Sequence, residues 1–331
     1  MTTLRLSVGA PGARITGLGA HLPARVVSND EIAPAIESTD EWIRKRSGIE
    51  RRHFAAKDET VVDMAVEAAG KAIANAGVDP SAVDLVLVGT CTHEYQLPGA
   101  AAEVATRIGS PGAGAVDLDA ACASFCYALA SANDAIRAGS AHLAVVIGSD
   151  RFTNVLDMTD RSTAFLFGDG AGAAVVAPSE EPGIGPVAWG SDGSLRDLIA
   201  QFPQQDAGRS DVGMPLVRMD GPAVYRWAVT EIAPIAKQAC EAAGITPAEL
   251  GAFVPHQANV RIIDSLVRSL RLPDSVVVAR DVVDVGNTSA ASIPLALARL
   301  VESGEVPSGA PALLLGFGAG LTYAGQVVLM P

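Results

Sequence analysis

The sequence predicts an α/β protein of two duplicated halves, with helices covering mixed β-sheets in alternating layers and one helical layer shared at the middle. Three observations carry this reading: an internal repeat, short β-branched runs bounded by turn residues in both copies, and a composition suited to a packed interior. The chain has 331 residues, 49% apolar and only 18% charged, enough for two domains or one large duplicated unit. Aromatic residues make up 5%, so Val, Leu and Ala must fill the core.

The repeat begins with Ala76-Gly77-Val78-Asp79-Pro80, which recurs 167 positions later as Ala243-Gly244-Ile245-Thr246-Pro247. Each copy follows an Ala-rich helical stretch and leads into an apolar run, Leu85-Val86-Leu87-Val88 or Ala252-Phe253-Val254. Runs this short and this apolar read as buried strands. Next, CASFCYALASANDAIRAG from Cys122 matches NTSAASIPLALARLVESG from Asn287, 165 positions on. Both copies then enter a further buried strand, at Ala144-Val145-Val146-Ile147 and Ala312-Leu313-Leu314-Leu315. The order helix, strand, helix, strand thus occurs twice, and its natural packing is layered. A Pro- and Gly-spaced connector near residues 179–186 divides the chain into halves at 1–178 and 187–331.

The formal charge of −13 argues against nucleic acid or an anionic membrane as a partner, since both need a cationic face. Cys91, Cys122, Cys126 and Cys240 have no framework spacing and read as reduced thiols. Cys122 and Cys126 lack a second ligand pair, so no metal is expected. The N-terminus has no apolar signal core, and no run of about 18 apolar residues follows. The expectation is a soluble, cytoplasmic protein.

Cys122 follows Val116-Asp117-Leu118-Asp119-Ala120-Ala121, read as strand and turn, and opens a helix running to about Arg137. A thiol at a helix N-terminus meets unpaired N–H groups, which favour thiolate and depress its pKa. Alone, a buried Cys is an inert small hydrophobe. The repeat changes that reading, because it sets Asn287, also opening a helix, opposite Cys122. His256 stands directly after a buried strand, where side chains emerge from the carboxyl edge of a sheet. A Cys, a His and an Asn brought together suit a nucleophile with its partners.

The glycine-rich segments Gly316-Phe317-Gly318-Ala319-Gly320 and Gly168-Asp169-Gly170-Ala171-Gly172 are followed by strand-like runs rather than helices. That excludes a dinucleotide fingerprint and leaves backbone N–H donors for an oxyanion. From Asn259 the pattern is helical: Ile262, Ile263, Leu266, Val267 and Leu270 share one arc, with Arg261 and Arg268 about 20° apart on the other side. In so acidic a chain these arginines suit an acidic partner or a phosphate. Cys91, His93, Glu94 and Tyr95 read as pocket wall or surface.

These motifs resemble β-ketoacyl-acyl-carrier-protein synthase III, a condensing enzyme of the thiolase fold, across essentially the whole chain. The resemblance rests on Leu22-Pro23 through Val27-Ser28-Asn29, Asp40-Glu41-Trp42-Ile43, Arg46-Ser47-Gly48-Ile49, Ala120-Ala121-Cys122, the Gly168 and Gly316 segments, Val254-Pro255-His256-Gln257-Ala258-Asn259 and Gly286-Asn287-Thr288-Ser289-Ala290-Ala291-Ser292. It implies a thiolase-like fold in α/β/α/β/α layers, a homodimer, and no permanently bound cofactor. It further implies that Cys122 takes an acyl group from acyl-coenzyme A, with the Cys122 and Ala319 amides as oxyanion hole. His256 and Asn287 would then stabilise the enolate left by decarboxylation of malonyl-acyl carrier protein. By the same resemblance Trp42 and Arg161 flank the coenzyme A adenine, Arg46 reaches its phosphates, and Asn259 and Gly221 meet the pantetheine. Arg226, Arg261 and Arg268 would meet the acidic carrier protein, and Leu97 and Phe317 would shape the acyl pocket.

Two departures stand out. Ala123-Ser124-Phe125 replaces the family's usual small-Gly-Phe after the cysteine. Leu97-Pro98, after an apparent two-residue insertion, replaces a bulky aromatic that reaches across the dimer. A Leu there implies a reshaped pocket and a starter larger than acetyl, serving a fatty acid or specialised polyketide pathway. The alternative is a same-fold acyltransferase that passes its acyl group to a hydroxyl or amine without condensation.

Overall fold

The apolar runs of the repeat are the central strands of two sheets. The computed structural model of the chain describes residues 4, 7–202 and 215–331. From the N-terminus run β1 (Gly12–His21), β2 (Arg25–Ser28), α1 (Asn29–Ile32), α2 (Asp40–Ser47) and β3 (Arg51–Phe54). The first repeat follows as α3 (Val61–Ala76), β4 (Leu85–Gly89), α4 (Ala100–Arg107), β5 (Gly114–Leu118), α5 (Ser124–Ala138), β6 (Ala144–Arg151) and β7 (Asp169–Ser179). Then come β8 (Ala188–Ser191), β9 (Ile199–Phe202) and β10 (Leu216–Met219). The second repeat comprises α6 (Gly221–Ala242), β11 (Ala252–Pro255), α7 (Val260–Leu270), β12 (Val277–Val278), α8 (Val282–Val285), α9 (Ser292–Ser303), β13 (Pro311–Gly318) and β14 (Thr322–Leu329).

Each repeat forms a five-stranded mixed sheet, in the orders β1-β7-β6-β4-β5 and β12-β11-β13-β14-β8. Read from opposite ends, the two orders correspond strand for strand. β4 pairs in parallel with β5 and β6, as β11 does with β12 and β13; β6–β7 and β13–β14 are antiparallel. Helices α5 and α9 lie between the sheets and touch strands of both. Outside them, α3 and α4 cover the first sheet, and α6 packs on the second and against α7.

Three apolar clusters fill the gaps between these layers. The middle one joins Phe125, Leu129 and Ile136 of α5 to Ile293 and Leu297 of α9 and to strands of both sheets. Val62, Met64 and Ile73 of α3 pack with Val86, Val88 and Ile147 on one outer side, and Ile232, Ile262 and Leu266 with Phe253 and Leu313 on the other. Each such fully buried side chain contributes roughly 1.5–3 kcal/mol. Because β4 and β6 are buried on both faces, their sequences are continuous apolar runs rather than alternating ones.

The sequence register between Cys122 and Asn287 needs correction. Cys122 does not open α5; it lies in a 3-10 turn, Ala121–Ala123, that precedes the helix. The equivalent turn before α9 is Ser289–Ala291. Both turns begin on a non-glycine residue of positive φ, Ala121 at 47° and Ser289 at 52°. By this match Cys122 corresponds to Ala290, and Asn287 stands just ahead of its turn. The cause is helix length: α5 has 15 residues and α9 has 12, so aligning their terminal glycines, Gly139 and Gly304, offsets their starts. The two turns nevertheless pack on each other, which brings the side chains together. No helix among the described residues is long and apolar enough to cross a membrane.

Candidate active site

Cys122 sits on a turn fastened from several directions. Ala120 N–H donates to Ser124 Oγ at 2.8 Å, Ala121 N–H to Asp119 Oδ1 at 3.0 Å, and Thr322 Oγ1–H to the Ala120 carbonyl at 3.0 Å. Ser124, where the resemblance leads one to expect glycine, therefore serves as an acceptor for the Cys122 turn. Gly89 makes room for it, since a Cβ there would stand 2.7 Å from Ser124 Cβ. The end of β13 comes equally near: a Cβ on Gly318 would lie 2.8 Å from Cys122 Cβ and 3.1 Å from its Sγ. Only glycine admits this approach, which brings the Ala319 backbone to Cys122.

His256 follows β11, with its backbone N–H donating to the Leu315 carbonyl of β13 at 2.8 Å. Its Nδ1 is 2.8 Å from Ser292 Oγ, which also receives the Gln257 N–H at 3.4 Å. With Ser292 donating to Nδ1, the ring carries its proton on Nε2 and can donate it into the cavity. Phe317 packs against the imidazole edge-on, with ring centroids 5.3 Å apart. Asn287 is held by its backbone, which donates to the Leu166 carbonyl at 2.8 Å and accepts from Gly168 N–H at 3.0 Å. Its Oδ1 accepts the Ser289 N–H at 2.9 Å, which leaves the Nδ2 donor for the cavity.

Electrostatics correct a further expectation. Burial pushes the Cys122 thiol up to about 12; the Ser289 hydroxyl hydrogen bond opposes this and the Asp150 charge adds to it. The helix-start argument for an acidic thiol omitted this desolvation. Burial also pushes His256 down to about 3, so its imidazole is neutral. The site holds a neutral thiol and two neutral donors.

One cavity of about 830 Å³ connects these groups with the outside. Cys122, His256, Asn287, Phe317 and Ala319 line its inner part, and Trp42, Arg46, Arg161, Gly221, Arg226, Asn259 and Arg261 line the rest. The Arg161 guanidinium lies over the Trp42 indole at 4.6 Å, and Arg46 approaches the same ring at 6.0 Å. Asn259 is the N-cap of α7, its Oδ1 accepting the Ile262 N–H at 3.0 Å, which leaves its Nδ2 donor for a ligand. Arg261 stacks on Tyr225 at 5.0 Å. Arg268 is exposed two turns further along α7, outside the cavity lining.

Leu97 is not brought to the site within one chain: it is 86% exposed, near Tyr95 at 66%. Cys91 does line the cavity. Sequence reasoning missed the hairpin of β9 and β10, whose Ile199, Gln201, Val217 and Met219 form part of the wall. It also missed the roles of Ser289 and Ser292, although both lie in the segment after Gly286. Among the described residues, no group of three or more His, Cys, Asp or Glu is arranged to hold a metal ion.

Comparison with known proteins agrees with this geometry. Residues 116–193 match the family profile described as 3-oxoacyl-[acyl-carrier-protein (ACP)] synthase III, and residues 240–330 match its C-terminal counterpart. A β-ketoacyl-[acyl-carrier-protein] synthase III from Streptomyces glaucescens is 52% identical, and one from Streptomyces coelicolor 51%, each over the full length of both chains. Among solved structures, the priming β-ketosynthase of the R1128 polyketide biosynthetic pathway superposes with a TM-score of 0.96 at 49% identity, covering 100% of this chain and 99% of that one. The 3-oxoacyl-(acyl carrier protein) synthase III of Pseudomonas aeruginosa gives a TM-score of 0.89 at 40% identity, with 97% and 98% covered. The chain belongs to the 3-oxoacyl-[acyl-carrier-protein] synthase III family, acyltransferases of the thiolase-like fold.

Proposed function

We propose that the chain performs a decarboxylative Claisen condensation, joining an acyl group carried on Cys122 to malonyl-acyl carrier protein and so starting fatty acid or polyketide chains. The observation that carries the reading is the meeting of Cys122 with two neutral donors, His256 and Asn287, inside one cavity. Cys122 attacks the thioester of acyl-coenzyme A while its own N–H and that of Ala319 receive the oxyanion. Coenzyme A leaves as the thiol. Malonyl-carrier thioester then loses carbon dioxide, and the electron pair enters an enolate whose oxygen accepts hydrogen bonds from His256 Nε2 and Asn287 Nδ2. Neutral donors serve here because the enolate needs preorganised hydrogen bonds rather than a base. The enolate carbon attacks the acyl-Cys122 carbonyl and releases the sulfur.

Trp42 and Arg161 flank the coenzyme A adenine, and Arg46 meets its phosphates. Since the guanidinium and indole lie at 4.6 Å, the exposed Arg161 side chain swings out to admit a flat ring between them. Asn259 Nδ2 and Gly221 meet the pantetheine; Arg226, Arg261 and Arg268 meet the acidic carrier protein. The protein works as a homodimer in the cytoplasm, without a resident cofactor, and its halves divide at 1–178 and 187–331. Exposed Tyr95, Leu97 and Val116 near the edge strand β5 support the dimer, in which Leu97 and Phe317 shape the acyl pocket.

Similarity to a priming β-ketosynthase of a polyketide pathway supports a starter beyond acetyl, propionyl or a longer or branched chain. Competing acyl-coenzyme A thioesters by kcat/KM tests this. Preference for the larger starters is expected; strong preference for acetyl would contradict it.

A further inference from the structure

The turn before α9 presents a side chain that the reaction above does not use. Ser289 is fully buried, and its Oγ–H donates to Cys122 Sγ at 3.4 Å. It is held from both flanks. Its own N–H donates to Asn287 Oδ1 at 2.9 Å, and the next N–H, of Ala290, donates to Asp150 Oδ2 at 3.0 Å. Its φ of 52° lies in a region that non-glycine residues adopt only where the surroundings impose it. Another neighbour of the hydroxyl is Cys91 Sγ, at 3.9 Å. Asp150, fully buried, accepts from Thr90 Oγ1, Cys91 N–H and Thr92 Oγ1 at 2.8–3.0 Å.

We propose that Ser289 is a fourth catalytic residue, whose hydroxyl already donates to the Cys122 thiol and holds that hydrogen bond more strongly as the sulfur gains negative charge. With its backbone fixed at both ends, the hydroxyl has little to reorganise beyond its own rotation. The inference rests on the condensing reaction proposed above and assigns it a group for the sulfur, as His256 and Asn287 serve the enolate. In acylation, the Sγ–C bond forms and the C–S bond to coenzyme A breaks. The proton lost by Cys122 ends on the coenzyme A sulfur. In condensation the C–C bond forms, the Sγ–C bond breaks with its electron pair returning to Sγ, and one proton from water restores the thiol. Both steps pass through negative sulfur, and among the described residues the titratable groups about it, Asp150, Asp119, Cys91 and the neutral His256, offer it no positive charge. A hydroxyl donor is what the site offers in place of a charge.

The test is the rate at which iodoacetamide alkylates Cys122 in the full-length protein, followed by peptide mass between pH 7 and 9, for the parent, Ser289→Ala and Ser289→Gly. Loss of a hydrogen bond to a charged sulfur, partly offset by higher intrinsic nucleophilicity, is expected to slow alkylation about tenfold in both variants. Glycine relaxes the backbone at this φ, so Ser289→Gly reads the hydroxyl free of strain. Alkylation at the parent rate in Ser289→Ala, or slowing there with the parent rate kept in Ser289→Gly, would overturn the role of the hydroxyl. Acylation of the parent by acyl-coenzyme A is measured in parallel. No acyl adduct on parent Cys122 would overturn the condensing reaction and leave the alkylation result to decide on Ser289.

Discussion

A buried thiol pushed up to about 12 and a buried imidazole pushed down to about 3 have one cause: desolvation disfavours whichever form is charged. In the proposed reaction the Cys122 proton therefore leaves as the acyl group arrives, and His256 serves as a donor rather than a base. This has a pH signature. His256 stays neutral above about pH 3, so the decarboxylation rate is expected to show no inflection near 6.5, the ordinary histidine value. Stability is expected to behave differently. Below about pH 6.5 the unfolded chain binds a proton that native His256 refuses, so native stability falls with acid down to about pH 3. Denaturant midpoints of parent and His256→Gln across this range check it: the loss on acidification should be shallower in the variant. Cys122, His256 and Asn287 were legible because each is a chemically distinctive type at the end of a repeated element. Ser289 and Ser292 were not, because serine is common and their partners come from segments distant in sequence. The protonation of Cys122 was misread for a related reason: a helix-start pattern says nothing about burial.

At the level of elements, caps and close approaches set the geometry of the site. Asn259 Oδ1 caps α7, and its Nδ2 is the donor proposed for the pantetheine. Asp caps as well as Asn, whereas Ala loses about 1 kcal/mol. Asn259→Asp is thus expected to keep the melting temperature of the parent while raising KM for acyl-coenzyme A about fivefold, the loss of one hydrogen bond. Asn259→Ala should lower both stability and affinity. Thermal melts beside KM values separate the two roles. The strands of the repeat were legible because strands buried on both faces write continuous apolar runs. The exact turn register was not, since α9 is three residues shorter than α5 and the sequence match follows the glycines at the helix ends. The β9 and β10 hairpin had no counterpart in the repeat and so gave no signal.

Across the whole molecule, a chain of formal charge −13 presents exposed Arg226, Arg261 and Arg268 at and beyond the mouth of its cavity. An acidic carrier protein is steered to such a patch against the prevailing field. Arg268→Glu is expected to raise KM for the carrier protein about tenfold at low ionic strength, with the difference shrinking as salt screens it. Adduct formation from acyl-coenzyme A should be unchanged, and steady-state kinetics at two salt concentrations read both. The layered fold was legible from the duplication alone. Leu97, expected in the acyl pocket, lies in solvent in the single chain. In the proposed reaction Cys122, His256 and Asn287 together couple loss of carbon dioxide to carbon–carbon bond formation. A single turnover of acyl-Cys122 protein with carboxyl-labelled malonyl-carrier protein measures that coupling directly. One carbon dioxide released for each β-ketoacyl-carrier product is the expected result; acyl transfer from Cys122 with no carbon dioxide released would contradict it.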